Sequence, residues 1–113
     1  MNIPSKLYHA TTWKNALSIM NTGLKPLGTD HLIYFADSFG GASIFSYMHG
    51  IPLEDIIVVV IDTTNLNKDL FDYGYDHNQT FFKNIEVYTY PEKISIGHIC
   101  DYMQVDLDNM KGE

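Results

Sequence analysis

The stretch Ile56-Ile57-Val58-Val59-Val60-Ile61 consists of six β-branched residues with no polar side chain among them. Such residues pack well on a pleated strand, and an unbroken apolar run of this length is typical of a strand buried on both faces. The sequence therefore predicts a fully buried strand over residues 56–61.

Two short helices are expected before this strand. The first carries four apolar residues at helical spacing: Trp13, Ala16, Leu17 and Met20. Thr11 or Thr12 is suited to cap its start, and Gly23 stands where a helix commonly ends. The second carries three further apolar residues: Ala42, Phe45 and Met48. Ser38 is its expected N-cap, and Gly50 is expected to close it.

The other segments favour strands. Apolar or alternating patterns predict strands over residues 6–9, 32–36, 84–90 and 94–99. Residues 62–83 show no clear period, and long irregular segments in small domains tend to be functional. Residues 102–113 are expected to form an acidic, frayed tail. We therefore predict one α+β domain, residues 1–113, with its core over about residues 6–101 and strands dominating its later part.

The chain is acidic, with 14 Asp plus Glu against seven Lys, no Arg, and a net charge of −7. Proteins that grip phosphate backbones need clustered Lys and Arg, so the composition argues against nucleic-acid binding through a broad basic face. The charge is uneven, because residues 51–113 hold twelve of the acids and four of the Lys. This half is either a solvated acidic face or a surface that docks a basic partner.

The sequence gives no sign of a membrane span or an oxidising compartment. The single cysteine, Cys100, cannot form an internal disulfide, and its apolar neighbours predict a buried thiol. Residues 1–6 lack the apolar stretch of a signal peptide, and the longest apolar run is far too short to cross a bilayer. We therefore expect a soluble, cytoplasmic protein.

Three polar residues lie in or beside apolar strands: His9, Tyr34 and Glu86. Each has a purely structural explanation, as a hydrogen-bonded histidine, a core tyrosine and a solvent-facing glutamate. Composition and periodicity alone therefore lead no further than a soluble α+β domain.

The order of three sequence blocks gives these residues a context. The blocks are Leu7-Tyr8-His9-Ala10-Thr11-Thr12, Ile33-Tyr34-Phe35-Ala36-Asp37-Ser38 and Ile85-Glu86-Val87-Tyr88. Over roughly residues 6–99 the chain resembles the ADP-ribosyltransferase superfamily. The resemblance is to its His-Tyr-Glu class, which includes diphtheria toxin and the poly-ADP-ribose polymerases, and to the small bacterial and phage members. It implies a split β-sheet core and NAD as substrate.

The resemblance implies a role for each matching residue. Glu86 would stabilise the ribose oxocarbenium ion as the N-glycosidic bond of NAD breaks, a transition state like that of glycoside hydrolysis. Tyr34 would be an aromatic floor for nicotinamide, with Phe45 or Tyr47 as the second wall, and His9 would bind the adenosine-side ribose. The other implied NAD-binding residues are Ala10 (through its backbone), Thr11, Ala42 and Ser43. No metal is implied, and the five His show no ligand spacing.

The chain departs from the family pattern at three positions. Ala10 replaces the usual Gly, which narrows the backbone freedom beside nicotinamide. Ala42 stands where the polymerase branch has an amide-binding Ser, for which Ser43 or Ser38 is the expected substitute. Asn84 stands where related toxins have an acceptor-selecting Gln or Glu, so the identity of the acceptor cannot be carried over.

The expected function is mono-ADP-ribosylation of a protein target inside a bacterial cell or a phage-infected host. Residues 62–83 stand where the superfamily has its target-recognition loop. The aromatic residues of this segment would either touch the protein partner or anchor the segment to the core: Tyr73, Tyr75, Phe81 and Phe82.

Two other functions stay open at this point. Ala10 and Ala42 are consistent with an inactive module that binds NAD, ADP-ribose or a related nucleotide. A local patch of three lysines leaves room for transfer to a nucleic-acid base: Lys6, Lys14 and Lys25. RNA 2′-phosphotransfer is set aside, because the resemblance would then call for several phosphate-binding Arg and the chain has none.

Overall fold

The computed structural model describes residues 2–74 and 85–105. Two helices and six strands follow one another within these ranges: β1 (Lys6–Thr12), α1 (Trp13–Thr22), β2 (Ile33–Ala36), α2 (Phe39–Met48), β3 (Ile56–Asp62), β4 (Asp72–Tyr73), β5 (Val87–Tyr90) and β6 (Ile99–Gln104). Short 3₁₀ turns lie at Leu53–Asp55, Lys68–Leu70 and Ile96–His98. The α+β class is therefore confirmed.

The six strands form one antiparallel sheet in the order β4-β5-β2-β1-β3-β6. β3 pairs with β1 along its whole length, from Lys6 opposite Asp62 to Thr12 opposite Ile56. Its alternate side chains enter two different apolar clusters, one on each face of the sheet. The prediction of a strand buried on both faces is therefore confirmed.

The pairing between the two central strands of the sheet, β1 and β2, is short. β1 and β2 are joined in register at a single pair, Tyr8 opposite Ala36. By contrast, β2 pairs with β5 at four positions and β1 pairs with β3 at seven. The two halves, β4-β5-β2 and β1-β3-β6, therefore meet at a short junction, and residues of β1 and β2 near this junction line two clefts.

One helix covers each face of the sheet. α1 contributes Ile19 to the cluster that contains Leu7 and Phe35, and α2 contributes Ala42 to the cluster that contains Ile56 and Val58. The expected caps are present: the side chains of Thr12 and Ser38 accept backbone N–H groups of Asn15 and Gly41, respectively. Gly23 ends α1 with φ 85° and donates its N–H to the carbonyl of Ile19.

Only one of the four residues in the predicted apolar stripe of α1 is buried. Ala16 and Ile19 are buried, whereas Trp13, Leu17 and Met20 are 46%, 56% and 37% exposed. The pair Ala16 and Ile19 has helical spacing of its own, and Leu24 joins Ile19 in the same cluster just after the helix. The buried face is therefore turned about the helix axis from the face that the longer stripe predicts.

The strand predicted over residues 94–99 is also wrong. Ile94 makes only an isolated bridge with Leu24: the N–H of each residue donates to the carbonyl of the other at 2.9 Å. A 3₁₀ turn follows at Ile96–His98, and the strand β6 begins only at Ile99. Part of the segment expected to be a frayed tail therefore belongs to the sheet, and Val105 is buried, while residues 106–113 lie outside the described residues.

Cys100 is exposed, so the prediction of a buried thiol is wrong as well. The physical reason is that Cys100 lies on β6, the edge strand beyond β3, where apolar neighbours in sequence do not guarantee a covering layer. Among the described residues, neither helix is long and apolar enough to span a membrane.

Candidate functional site

His9 lies at the junction between the two halves of the sheet. Its side chain is half-buried, and its Nδ1 lies 2.8 Å from the backbone oxygen of Tyr34, 25 residues further along the chain. A carbonyl oxygen only accepts, so Nδ1 carries the proton and Nε2 presents a lone pair. Burial lowers the pKa of His9, against a smaller opposite effect of this hydrogen bond, and favours the neutral imidazole.

A cleft of about 190 Å³ lies beside this junction. It is lined by residues of β1, β2 and β5, and by one face of α2: Tyr8, His9, Ala10, Tyr34, Phe35, Ala36, Ala42, Phe45, Ser46, His49 and Val87. Five residues predicted from the sequence are thus brought together here: His9, Ala10, Tyr34, Ala42 and Phe45. We call this cleft the aromatic cavity.

Tyr34 is fixed at both ends. Its carbonyl accepts a hydrogen bond from Nδ1 of His9, and its hydroxyl donates a hydrogen bond to Oδ2 of Asp30 at 2.5 Å. The hydroxyl of Tyr34 is the main cause that holds the pKa of Asp30 below its usual value. Its ring also packs close to Gly74, where a Cβ would lie 3.4 Å from Cδ2 of Tyr34 and 2.7 Å from Cγ1 of Val87. The absence of a side chain at Gly74 lets the chain pass close to Tyr34 and Val87, two residues that line the aromatic cavity.

α2 supplies the opposite wall through Phe45 and His49. Their ring centroids lie 4.4 Å apart, and Nδ1 of His49 lies 2.7 Å from the backbone oxygen of Phe45. Of the two residues expected as the second aromatic wall, Phe45 lines the aromatic cavity, whereas Tyr47 is 54% exposed and is not among the lining residues.

Three lining residues were missed by reasoning from the sequence: Tyr8, Ser46 and His49. Helical spacing could have found two of them, since Ser46 follows Ala42 by four residues and His49 follows Phe45 by four. The resemblance ends its match on this helix at Phe45, so it gave no signal for either residue.

Three residues expected at the NAD site do not line the aromatic cavity: Ser43, the alternative serine Ser38, and Thr11. Ser43 is buried and donates its hydroxyl to the carbonyl of Phe39, and Ser38 is occupied as the helix cap. Neither Ser43 nor Ser38 lines the aromatic cavity, so neither replaces the serine that Ala42 lacks. Thr11 is buried and lines a different cleft.

Glu86 stands just before β5 and is exposed. Its neighbour Val87 lines the aromatic cavity, but Glu86 is not among the lining residues. The carbonyl of Glu86 accepts the backbone N–H of Asp37 at 3.1 Å, which ties this end of β5 to the end of β2. Burial raises the pKa of Tyr88, and the charge of Glu86 adds to this effect. The chain at Glu86 therefore adjoins the aromatic cavity only through Val87, and the Glu86 carboxylate lies on the side of Tyr88.

A second cleft of about 260 Å³ opens on the α1 side of the junction. It shares His9 and Tyr34 with the aromatic cavity and has several more hydroxyl and amide side chains in its lining: Thr11, Asn15, Ser18 and Thr22. We call it the polar cleft. The two clefts therefore meet at the hydrogen bond between His9 and Tyr34.

The later part of the segment expected to recognise a target, residues 75–83 with Tyr75, Phe81 and Phe82, lies outside the described residues, as does Asn84. Tyr73 is described: it is 37% exposed, and its ring centroid lies 5.6 Å from that of Tyr88. Within residues 2–74 and 85–105, no three His, Cys, Asp or Glu side chains are grouped as a metal site would require.

Comparison of the sequence with protein-family models and with curated proteins finds no match.

Proposed function

We propose that this protein is a mono-ADP-ribosyltransferase of the His-Tyr-Glu class, which cleaves NAD and transfers ADP-ribose to a protein target. One observation supports this above the others. Residues that the resemblance selects from two separate blocks and from the helix after the second block line one cavity: His9, Ala10, Tyr34, Ala42 and Phe45.

The aromatic cavity suits the nicotinamide end of NAD. Its lining is largely apolar, and Tyr34 and Phe45 offer aromatic surfaces to a flat ring. The nicotinamide ring of NAD carries a positive charge, which aromatic faces attract. Ala10 leaves its part of β1 without a bulky side chain, so a ligand can approach the backbone there.

His9 would hold the ribose nearest the polar cleft. Its Nε2 lone pair can accept a hydrogen bond from a ribose hydroxyl, and the neutral imidazole favoured by burial is the form that can do so. The polar cleft next to it offers hydroxyl and amide groups to the adenosine half. NAD would then extend across the junction of the sheet, with one end in each cleft.

Glu86, which directly precedes the cavity-lining residue Val87, would supply the carboxylate for the reaction. As the bond between the ribose C1′ and the nicotinamide nitrogen breaks, its electron pair leaves with nicotinamide and positive charge develops on the ribose. A carboxylate fixed nearby stabilises that charge. The acceptor's nucleophilic atom then bonds to C1′ and loses its proton.

Binding of NAD to the Phe45→Ala variant tests the placement of the ring. The loss of one aromatic wall is expected to weaken NAD binding about tenfold, which corresponds to about 1.4 kcal/mol. Tyr47→Ala is the matched control on the same helix, because Tyr47 is exposed and outside the cavity, and it should bind NAD as the wild type does. Calorimetry measures both affinities. Equal affinity in all three proteins would contradict the proposal.

A second candidate is a module that binds NAD or ADP-ribose without cleaving NAD. The exposed position of Glu86 outside the lining of the aromatic cavity favours it. For this function, NAD would bind with an affinity that depends on Phe45, yet no nicotinamide would be released over hours. Measurable release that depends on Glu86 would exclude it.

A further inference from the structure

The polar side chains on the α2 wall of the aromatic cavity have no role in the reaction described so far. They are Ser46, on the helix face that also carries Ala42 and Phe45, and His49, the exposed C-cap residue three positions later. The other lining residues from α2 and β5 are apolar. Polar groups in a largely apolar pocket are the ones that fix the orientation of a ligand and select among similar ligands.

The hydroxyl of Ser46 is available to a ligand. Ser46 is only 6% exposed, and within the described ranges its side chain makes no hydrogen bond. Among the described residues, every side-chain oxygen or nitrogen that is fully enclosed has a hydrogen-bond partner. Because the Ser46 hydroxyl has none, its oxygen is not fully enclosed. Because Ser46 lines the aromatic cavity, that oxygen can donate to or accept from a group bound there.

His49 offers the complementary group. Its Nδ1 lies 2.7 Å from the carbonyl oxygen of Phe45 and therefore carries a proton, so in the neutral imidazole Nε2 has the lone pair. The stacking of its ring on Phe45, at 4.4 Å between centroids, fixes the plane in which that lone pair lies. His49 in this tautomer accepts a hydrogen bond and does not donate one from Nε2.

A hydroxyl donor and an imidazole acceptor on one wall match a carboxamide, which has one carbonyl oxygen and an NH₂ group. They do not match a carboxylate, because its oxygens only accept and none of the lining residues is a Lys that could neutralise its charge. We infer that Ser46 and His49 are specificity-determining residues, which select an aromatic carboxamide over the corresponding carboxylate. This inference rests on the proposed function for its natural ligand, the nicotinamide group of NAD.

The test uses free nicotinamide, nicotinate and 3-acetylpyridine, the last of which keeps the carbonyl oxygen but has no N–H. Their affinities are measured by calorimetry for the wild type, Ser46→Ala and His49→Phe, with Ser95→Ala as a matched serine control. Ser95 is exposed, and its side chain makes no capping hydrogen bond. The far-ultraviolet circular dichroism of each variant is compared with that of the wild type.

We expect the wild type to bind nicotinamide at least about tenfold more tightly than nicotinate. Ser46→Ala should weaken both nicotinamide and 3-acetylpyridine about five- to tenfold, because both have the carbonyl oxygen. His49→Phe keeps an aromatic ring on Phe45 and should weaken nicotinamide by a similar factor, but leave 3-acetylpyridine unchanged. Ser95→Ala should change none of these affinities.

An unchanged preference for nicotinamide in both variants, or a wild-type preference for nicotinate, would overturn the inference. If a variant fails to fold, the wild-type ratio of the affinities for nicotinamide and 3-acetylpyridine decides, since equal affinities contradict an acceptor at His49.

Failure of the proposed function is a separate outcome. NAD cleavage without dependence on Ser46 or His49 would overturn this inference alone. Nicotinamide binding that depends on both residues, without NAD cleavage, would overturn the enzyme alone. If none of the three probes binds, this inference is overturned.

Discussion

At the scale of single residues, His9 connects the stability of the fold with the chemistry of the site. The hydrogen bond from its Nδ1 to the carbonyl of Tyr34 crosses the point where β1 and β2 are joined by only one registered pair. The same bond leaves Nε2 as an acceptor between the two clefts. One imidazole therefore both links β1 to β2 and lines the two clefts.

The pKa of His9 predicts how stability depends on pH. Because burial lowers this pKa in the folded state below the ordinary value of 6.5, the unfolded chain binds the proton more readily. The contribution of His9 to stability is therefore complete above about pH 6.5 and is lost as the pH falls through 6.5 toward the lower pKa of the folded state.

Urea unfolding at pH 7.5 and at pH 5.5 measures this effect. We expect the free energy of unfolding of the wild type to be lower at pH 5.5. His9→Gln retains an N–H donor for the carbonyl of Tyr34 but does not titrate, so its stability should differ less between the two pH values. His98→Gln serves as the control and should retain the wild-type pH dependence. A His9→Gln variant with that full dependence would show that His9 is not the group responsible.

At the scale of elements, two adjacent glycines show how closely α2 approaches the segment that leads into β5. A Cβ at Gly41 would lie 2.8 Å from Cγ2 of Ile85 and 2.9 Å from Oγ of Ser38, the oxygen that caps the helix. A Cβ at Gly40 would meet no atom within 4 Å. The absence of a side chain at Gly41 therefore lets the helix that carries Phe45 lie close to the chain just before Glu86.

The two alanine variants should change stability in opposite directions. Gly41→Ala displaces Ile85 or the capping oxygen and should lower the free energy of unfolding by about 1–3 kcal/mol. Gly40→Ala removes backbone entropy from the unfolded chain without a clash and should raise it by about 0.5–1 kcal/mol. Chemical denaturation of the two proteins measures the difference. Equal stabilities would mean that α2 does not pack against Ile85 as described.

Elements that local chemistry determines could be predicted from the sequence. Ser38 and Gly23 mark helix ends because a side-chain oxygen or a positive φ is needed at that position, whatever lies further away. The face that α1 buries could not be predicted in the same way, because Trp13, Leu17 and Met20 have the right spacing but no layer covers them fully. Cys100 is exposed for a similar reason, since its strand lies at the edge of the sheet.

The candidate site could be predicted only in part. His9 and Tyr34 are far apart in sequence, and only the family resemblance assigned both to one site; the structure joins them by a 2.8 Å hydrogen bond. Ser46 and His49 lie beyond the end of that resemblance, although the helical spacing from Ala42 and Phe45 includes them. The position of Glu86 depends on where β5 begins, which the alternating pattern over residues 84–90 could not determine.

At the scale of the whole molecule, the clefts follow from the topology of the sheet. The halves β4-β5-β2 and β1-β3-β6 meet at one registered pair, and a cleft opens on each side of that junction. His9 and Tyr34 line both clefts. A ligand with an aromatic ring at one end and polar groups at the other could therefore reach both, and NAD has this character.

Release of nicotinamide from NAD tests the central claim most directly. It is measured for the wild type, for Glu86→Gln and for the control Glu92→Gln, each with and without bacterial lysate as a source of acceptor. Both glutamates are exposed, so neither change should alter stability by more than about 0.5 kcal/mol.

The proposed function predicts that the wild type releases nicotinamide, that lysate increases the rate, and that Glu92→Gln behaves as the wild type. Glu86→Gln should reduce the rate about a hundredfold or more, because the charge that develops on the ribose is then left without its carboxylate. Release by Glu86→Gln at the wild-type rate, or no release by the wild type, would contradict it.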